Sequence, residues 1–313
     1  MFMKKLFLSL FLSGVLCLPA SAASLSSNAQ TVIPAAVQQI ISVDYRDLRD
    51  SQTARALRDR VMPDNIKRFE TALKGAGIDP ERDVDQLTFV SYRGQKNMLY
   101  SIGIAQGGFR QKEFLQKMRL RKIKPEKYLL SNIYPMGSGM QMVFLDPTTI
   151  LFGDNAAVKG AIDVRDNGAN SVTNNSVIDD LITSIQNATI WSVLDQKGTQ
   201  NMMRSALGEA GSLTDFDSVK KRLLASDYTM GFLNGVTFDL NVKTSDAVTA
   251  ASLSGLMKAG VLYRRMSGTP SEKMALQNTT VNSSNDLVQM HFKTDDQQFQ
   301  SLLHSDLFAA VSK

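Results

Sequence analysis

The order of secondary-structure patterns occurs twice along this chain, and that repeat is the feature that most constrains its fold. Each half has a β-like run, then helical stretches, two strands joined by a tight turn, a helix, further strands and a closing helix. In the second half the turn is Asn234-Gly235, the dipeptide most typical of a two-residue hairpin. Hairpins mixed with helices in this order predict an α+β fold with antiparallel sheets.

The repeated order favours the split βαβ, or ferredoxin-like, plan with additions, built twice by an internal duplication. We expect a first repeat at residues 37–166 and a second at 177–313, separated by the Asn-, Ser- and Gly-rich linker 167–176. Helices would cover one face of each sheet. The opposite faces would then be free to pack together or to bind something.

The first residues have the pattern of an export signal. A basic start is followed by the apolar run Leu6 to Leu18 and by Ala20-Ser21-Ala22, a small-x-small cleavage pattern. The run is shorter than the ~20 residues that span a bilayer, so we predict removal of residues 1–22 and a polar leader at 23–36. The protein is therefore expected in the periplasm or outside the cell, and not integral in the membrane.

Charge and cysteine content exclude several classes of protein. The chain has 35 Lys and Arg against 30 Asp and Glu, a net charge of +5, which becomes +3 if Lys4 and Lys5 leave with the signal. That balance does not indicate a nucleic-acid partner. Cys17 is the only cysteine, so a processed chain has no disulfide, thiol nucleophile or cysteine metal site. Lipidation of Cys17 is the alternative, although Leu16 stands where a small residue is usual.

The stretch VFLDPTTILFGDNAAVKGAID, residues 143–163, has the outline of a phosphate loop that leads into a helix. Only Gly153 precedes the helix, and neither a P-loop nor a dinucleotide fingerprint is present. Asp154 is a good helix N-cap, and its carboxylate would repel a phosphate there. The stretch therefore indicates a hairpin followed by a helix, and no cofactor is expected.

Metal and catalytic sites are not expected either. Residues 79–85, DPERDVD, place carboxylates at every second position, as in half of a calcium loop. An EF-hand needs Gly and Glu where this chain has Val84 and Val90, so the pattern favours a polar turn. His291 and His304 are the only histidines, and no nucleophile motif accompanies either one. We predict no catalytic, cofactor-binding or metal-ligating residues.

Three stretches carry a resemblance to a known group of proteins: Gly77 to Val84, Gly108-Phe109, and Phe144 to Asp163. With the repeated element order, the chain resembles a loose family of exported bacterial proteins of unknown function, which have tandem ferredoxin-like repeats behind a signal peptide. The resemblance implies a location and a fold, and no activity.

The segment RQKEFLQKMRLRKIKPEK, residues 110–127, concentrates positive charge, because eight basic minus two acidic residues give +6. Phe114, Leu115 and Met118 have the spacing of a buried helix stripe, so this face should dock on the sheet. The side chains expected to project from the other faces and to contact an anionic surface are Arg110, Lys117, Arg121, Lys122 and Lys124. Either the segment is an ordinary solvated helix, or it binds lipid headgroups, cell-wall polymers or an acidic partner.

The sequence thus favours an exported, non-catalytic binding or structural protein, which contacts an anionic envelope component or a protein partner through residues 110–127. The alternative is an extracytoplasmic hydrolase or small-molecule binding protein with its site between the two repeats. A pocket with converging polar groups would favour the alternative.

Overall fold

The computed structural model describes residues 24–61, 64–94, 97–168, 170–212 and 216–303, so the expected signal peptide and His304 lie outside it. The helices are α1 (Ser27–Thr31), α2 (Tyr45–Asp50), α3 (Gln52–Val61), α4 (Asp64–Gly75), α5 (Pro80–Asp83), α6 (Gln111–Leu120), α7 (Asn155–Asp166), α8 (Ser176–Ile185), α9 (Gln196–Ser212), α10 (Phe216–Lys220), α11 (Ala247–Ser267), α12 (Pro270–Gln277) and α13 (Asp296–Leu303). The strands are β1 (Val37–Asp44), β2 (Val84–Arg93), β3 (Leu99–Gly107), β4 (Glu126–Tyr128), β5 (Ser131–Pro135), β6 (Gln141–Asp146), β7 (Thr149–Gly153), β8 (Ile190–Leu194), β9 (Leu223–Gly231), β10 (Val236–Thr244), β11 (Thr279–Ser284) and β12 (Leu287–Thr294). Within these ranges, no helix combines the length and the apolar character that crossing a bilayer requires.

The described strands form one 12-stranded sheet in the order β11-β12-β10-β9-β8-β1-β2-β3-β7-β6-β5-β4. Every pairing within it is antiparallel. The mixture of helices with a large antiparallel sheet confirms the predicted α+β class.

The ferredoxin-like arrangement is wrong for the sheet as described. A split βαβ unit brings two parallel strands into one sheet with another strand between them. Here β1 pairs with the next strand, β2, in antiparallel register, with Ile40 opposite Val90. The order of elements could not distinguish these plans, because both fit the same sequence of strand and helix patterns.

The two halves share the sheet through their first strands. Strand β1 pairs with β8, so that Ile40 lies opposite Val193. Beside this seam Arg93 Nη1 donates to Asp195 Oδ2 at 2.7 Å, and both side chains are about a fifth exposed. The halves are therefore edge-to-edge parts of one sheet, and each half closes the edge that the other would expose.

Strand order is the same in both halves. The first runs β1-β2-β3-β7-β6 and the second runs β8-β9-β10-β12-β11, each with helices between its first two strands and after its third. The first half then adds β5 and β4 beyond β6. That added hairpin has no counterpart among the described strands of the second half.

Helices cover both faces of the first half. On one face Ile40 and Val90 pack with Ala161 of α7 and with α1 and α8. On the other, Leu87 and Phe152 pack with α4 and α6. The prediction of helices on one face only is therefore wrong here, because β1 to β3 carry apolar side chains on both sides.

In the second half one face is covered throughout, whereas on the other face α8 covers β8 and β9 and leaves the outer strands open. Leu240 and Val242 pack with α9, α10 and α11, and an adjacent cluster joins α3 and α13 to the same face. The alternate residues of β10, which point to the opposite face, are polar and half-buried or exposed: Thr237, Asp239, Asn241 and Lys243. The prediction of helices on one face therefore agrees with the outer strands β10, β12 and β11, but not with β8 and β9.

Residues predicted as leader and linker instead pack onto the first half. Ala29, Val32 and Ile33 of the leader are fully buried, as is Val172 of the linker. The two segments bond to each other, since Val172 N donates to Ile33 O at 2.8 Å. The leader and the linker are polar in overall composition, but each contains a few apolar residues that are buried.

One carboxylate on the α8 side of β9 lies largely out of water. Asp227 on β9 is 3% exposed and accepts a hydrogen bond from Asn241 Nδ2 at 2.8 Å. Burial raises the pKa of the Asp227 carboxyl, and the bond from Asn241 opposes that rise. No cation is paired with it in the described residues, so its ionised form is poorly compensated.

Asp227→Asn is expected to stabilise the fold at pH 7 by on the order of 1 kcal/mol, because an amide needs less hydration than a carboxylate. Because the pKa of Asp227 is higher in the folded protein, its protonated form stabilises the fold fully below the unfolded-state pKa of about 3.9. That contribution is lost as pH rises through the folded-state pKa. Urea unfolding of both proteins at pH 3 and pH 7 should show the gain at pH 7 alone. An equal gain at both values would contradict this account.

Candidate anionic-surface site

Helix α6 carries most of the basic segment and is anchored by an aromatic cluster. Phe114 and Met118 are each 5% exposed and Leu115 is half-buried, as the stripe spacing predicts. The Phe114 ring lies 5.5 Å from Tyr134 and 5.4 Å from Phe144, edge to face in both cases. One side of the helix is therefore fixed on the sheet, and the others face solvent.

The end of α6 is a Schellman motif, with lysine where glycine is usual. Lys122 N donates to Arg119 O at 3.0 Å, and Ile123 N donates to Met118 O at 2.9 Å. Lys122 has φ of 57°, in the left-handed region that costs a side-chain-bearing residue energy. Half-buried Ile123 packs back against the core, so the charged turn is held in place.

The cations of α6 lie along two flanks. At 100° per residue, Arg110, Lys117 and Arg121 share one side of the helix, at spacings of seven and four. Lys112 and Arg119 share the other side. All five are exposed, so the helical spacing brings three of the five predicted contacts into one row.

Acidic neighbours of the segment are already paired. The Glu113 carboxylate lies 3.6 Å from Arg110 Nη1, and both side chains are about three-fifths exposed. Glu126 Oε1 lies 2.5 Å from Lys159 Nζ on α7, and hydrogen bonds from Lys159 and Asn155 lower the pKa of Glu126. Lys122 and Lys124, just beyond the helix, are exposed, so the positive charge at the C-terminal end of α6 has little local compensation.

A cleft of about 240 Å³ opens beside the first flank of α6. Arg110 and Lys117 line it from α6, and Arg82 and Asp83 line it from α5. Arg82 is bound to Asp83, with Nε and Oδ1 2.7 Å apart. Lys117 thus faces a concave surface large enough for a phosphate or carboxylate group.

Three leucines beside these cations were missed by the sequence reading. Leu120, Leu129 and Leu130 are 76%, 52% and 89% exposed. The apolar pattern predicts one strand from Tyr128 to Tyr134, but the chain turns at Leu129-Leu130 to form the β4–β5 hairpin, pairing Tyr128 with Ser131. We call the following set the α6 edge surface: Arg110, Lys112, Lys117, Arg119, Arg121, Lys122, Lys124, Leu120, Leu129 and Leu130.

The carboxylate run, the predicted N-cap and one of the two histidines can also be located in the structure. Asp79 accepts from Glu81 N and caps α5, and Asp83 is bound to Arg82, so the run of carboxylates forms a capped turn. Asp154 stands at the N-cap position of α7, but its side chain makes no capping hydrogen bond. On the open face His291 Nδ1 lies 2.6 Å from Asp239 Oδ1, and both are about half exposed.

Chemically, the α6 edge surface offers ammonium and guanidinium groups that are held on a fixed helix and remain in water. Such groups bind phosphate and carboxylate oxygens through charge-assisted hydrogen bonds. Exposed charges contribute little to folding stability, so they can be replaced with little effect on the fold. Binding and stability can therefore be separated by substitution.

The chain matches no protein-family model and no curated protein. Among solved structures, crystal form I of TP0453 aligns at a TM-score of 0.48 and 10% identity, covering 92% of this chain and 98% of the other. Crystal form III aligns at 0.48 and 8%, covering 88% and 96%, and crystal form IV at 0.44 and 10%, covering 91% and 98%. The resemblance to an exported family stays a prediction, and likenesses of this size leave the function to be argued from the residues of this chain.

Proposed function

We propose that this chain is an exported, non-catalytic binding protein that attaches to an anionic envelope surface through the cations of the α6 edge surface. The observation that carries this proposal is the exposure of Arg110, Lys112, Lys117, Arg119, Arg121, Lys122 and Lys124 around one anchored helix. Export rests on the pattern of residues 1–22.

Local pairing supports a free positive surface at the C-terminal end of α6. The two acids of the segment are held by Arg110 and Lys159, which leaves the cations from Lys117 to Lys124 without a described ion pair. Their positions near the helix C-terminus also suit the helix dipole, which favours positive charge there. The dipole explains the placement of charge in the last turn, but it does not require so many cations.

A ligand surface rich in phosphate would be bound electrostatically. Screening acts over about 10 Å at 0.1 M salt and about 3 Å at 1 M. Binding carried by exposed cations should therefore weaken steeply with salt and depend little on the detailed shape of the ligand.

The test replaces Lys117, Arg121, Lys122 and Lys124 with glutamine. Binding to vesicles of phosphatidylglycerol and phosphatidylcholine in equal parts, and to inorganic polyphosphate, is measured at low salt. We expect this charge variant to bind both probes at least about tenfold more weakly, since each lost contact near an anionic surface is worth about 1 kcal/mol.

A matched control removes four positive charges at other positions of the chain. Lys243, Lys258, Lys273 and Lys293 are exposed in the second half and are replaced with glutamine. This control should bind like the wild type, and all three proteins should unfold at similar urea concentrations. Equal weakening in both variants would mean that net charge alone governs binding, and no weakening in the charge variant would refute the proposed surface.

Two clefts beside α6, the one lined by Arg110 and Lys117 and a second lined by Gln111 and Leu115, do not favour the alternative of a hydrolase or small-molecule binding protein. Both are lined by residues of the first half, within 76–165, and lie away from the β1–β8 seam. Polar groups do meet beside that seam, where Arg93 donates to Asp195 and to Gln38, but none of the three lines either cleft.

We also infer that the two halves arose by duplication of one βαββαββα unit, which their shared strand order supports. Superposing β1, β2, β3, β7 and β6 on β8, β9, β10, β12 and β11 should align all five pairs in one rigid fit. A fit that aligns only two or three of the pairs would contradict the duplication.

A further inference from the structure

Apolar side chains are unusually exposed on the α6 edge surface. Leu130 at 89% and Leu120 at 76% are among the most exposed large apolar side chains in the described residues. Single exposed leucines are common on protein surfaces. Here, however, Leu120, Leu129 and Leu130 accompany a run of cations, and a phosphate-binding surface alone would not need them.

The backbone of this surface is also unusual for its residue types. Among the described residues, the non-glycine positions with positive φ are Asn97, Lys122, Leu129, Asn234 and Asn285. Asparagine is well tolerated in that conformation, whereas leucine, with φ of 47°, is an outlier. The two exceptions, Lys122 and Leu129, both belong to the α6 edge surface, so the chain keeps a cation and an apolar side chain where asparagine or glycine would be more stable.

The leucines bracket the helix. Leu130 lines a cleft with Gln111 and Leu115, so the hairpin tip lies beside the N-terminal half of α6. Leu120 stands at the helix C-terminus, about 10 Å farther along the axis at 1.5 Å per residue. Along the helix axis Lys112, Lys117 and Arg119 lie between these two apolar positions.

We propose that the Leu129-Leu130 hairpin tip and Leu120 insert into the acyl boundary of an anionic lipid bilayer while the surrounding cations bind headgroup phosphates. This inference rests on the proposed function and names its ligand. Interfacial anchors combine apolar side chains that enter the upper acyl region with Lys and Arg that bind anionic headgroups. A polyanionic polymer offers phosphates but no apolar phase, so it would leave the leucines without a partner.

The hairpin suits such an anchor by its place in the fold. Strands β4 and β5 form the added edge of the sheet, which has no described counterpart in the second half. The short turn projects two adjacent leucines from an edge that is otherwise held by Tyr128, whose hydroxyl donates to Asp163 at 2.8 Å. The tip can therefore enter a bilayer without disturbing the core.

The first test changes Leu120, Leu129 and Leu130 to serine. We expect binding to the phosphatidylglycerol-containing vesicles to weaken by about 100-fold. Burial of one leucine side chain raises affinity by about tenfold, and partial insertion of the three leucines gives the combined figure. Binding to polyphosphate should stay within about twofold of the wild type, since the cations remain. The control changes Leu224, Leu233 and Leu262, which are exposed in the second half, to serine and should bind like the wild type.

The outcomes separate this inference from the proposed function. If the leucine variant binds vesicles like the wild type while the charge variant does not, insertion is wrong and the anionic surface stands. If the leucine variant loses polyphosphate binding as well, the substitutions have disturbed the surface itself and the insertion inference is rejected. If neither probe binds the wild type, both proposals fail.

A spectroscopic variant reports insertion directly. Leu130→Trp places an indole at the hairpin tip, and the native Trp191, the only tryptophan of the chain, is 1% exposed and should not respond to vesicles. Emission of this variant should shift to shorter wavelength on anionic vesicles and stay unchanged with polyphosphate. An unshifted emission on vesicles that bind the protein would overturn insertion.

Leu129→Asn is expected to raise the stability of the protein and to weaken its binding to vesicles. Asparagine relieves the left-handed conformation, so the urea midpoint should rise, while vesicle binding should weaken several-fold. A purely structural role for Leu129 would predict no loss of vesicle binding. A variant that is more stable and binds vesicles as tightly as the wild type would exclude Leu129 from the anchor.

Discussion

Replacing Phe152 with alanine is expected to lower the free energy of unfolding by about 3–5 kcal/mol, the usual cost of removing a fully buried aromatic ring. Phe152 is 0% exposed on β7, and its ring meets Phe69 of α4 edge to face, with centroids 4.9 Å apart. It fills the space over Gly103, where a β-carbon would lie 2.4 Å from the ring. Urea unfolding followed by circular dichroism measures the loss.

Two comparisons check that packing is the cause. Phe89→Ala removes a half-buried ring 5.2 Å from Phe69, so it should cost clearly less than Phe152→Ala. Gly103→Ala should also destabilise the protein, but less when Phe152 is already alanine, because the vacated space accepts the methyl group. Additive losses in the double variant, or a cost of less than about 1 kcal/mol for Phe152→Ala, would contradict this packing.

Replacing Ile40 with alanine is expected to cost about 2–5 kcal/mol and to destabilise both halves together. Ile40 is 0% exposed and lies between Val90 of the first half and Val193 of the second. Because β1 and β8 share one sheet, unfolding should remain a single transition at a lower urea concentration. Fluorescence of Trp191, beside the seam, should give the same midpoint as circular dichroism.

Two separate transitions in the Ile40 variant, with different midpoints for the two signals, would mean that the halves are independent domains. Thr280→Ala is the control, since Thr280 is exposed on the edge strand β11. Its effect should be within about 0.5 kcal/mol, as for most exposed positions.

Local elements were predictable from sequence because their causes are local. The Asn234-Gly235 turn joins β9 and β10 as expected, with φ of 57° and 101° at the two residues. The stripe of Phe114 and Met118 likewise identified the buried side of α6. Hairpin turns and helical periodicity are fixed by neighbouring residues, so a single sequence contains the signal.

Pairing between distant strands was not predictable. Ser42 lies opposite Trp191 across the seam, and no local pattern connects positions so far apart. Both halves have strands that are apolar on one or two faces, and many pairings would bury them equally well. The sequence therefore indicated two repeats, but not that they share one sheet.

The candidate site was predictable in its charges and not in its leucines. Helical spacing places Arg110, Lys117 and Arg121 on the solvent side once Phe114 is buried. Leu129 and Leu130 instead continue an apolar run and lack the Gly or Asn that marks most tight turns. Their exposure follows from the hairpin register, which only the structure shows.

The salt dependence of vesicle binding tests the central claim most directly. The protein is prepared as the cell makes it, and mass spectrometry reads its N-terminus, so that residues 1–22 do not add an apolar anchor unnoticed. The wild type should bind phosphatidylglycerol-containing vesicles at low salt and lose most of that affinity as salt rises toward 1 M, whereas the charge variant should bind weakly throughout. Wild-type binding that is absent at low salt, or that salt does not change, would contradict an anionic-surface function for the α6 edge surface.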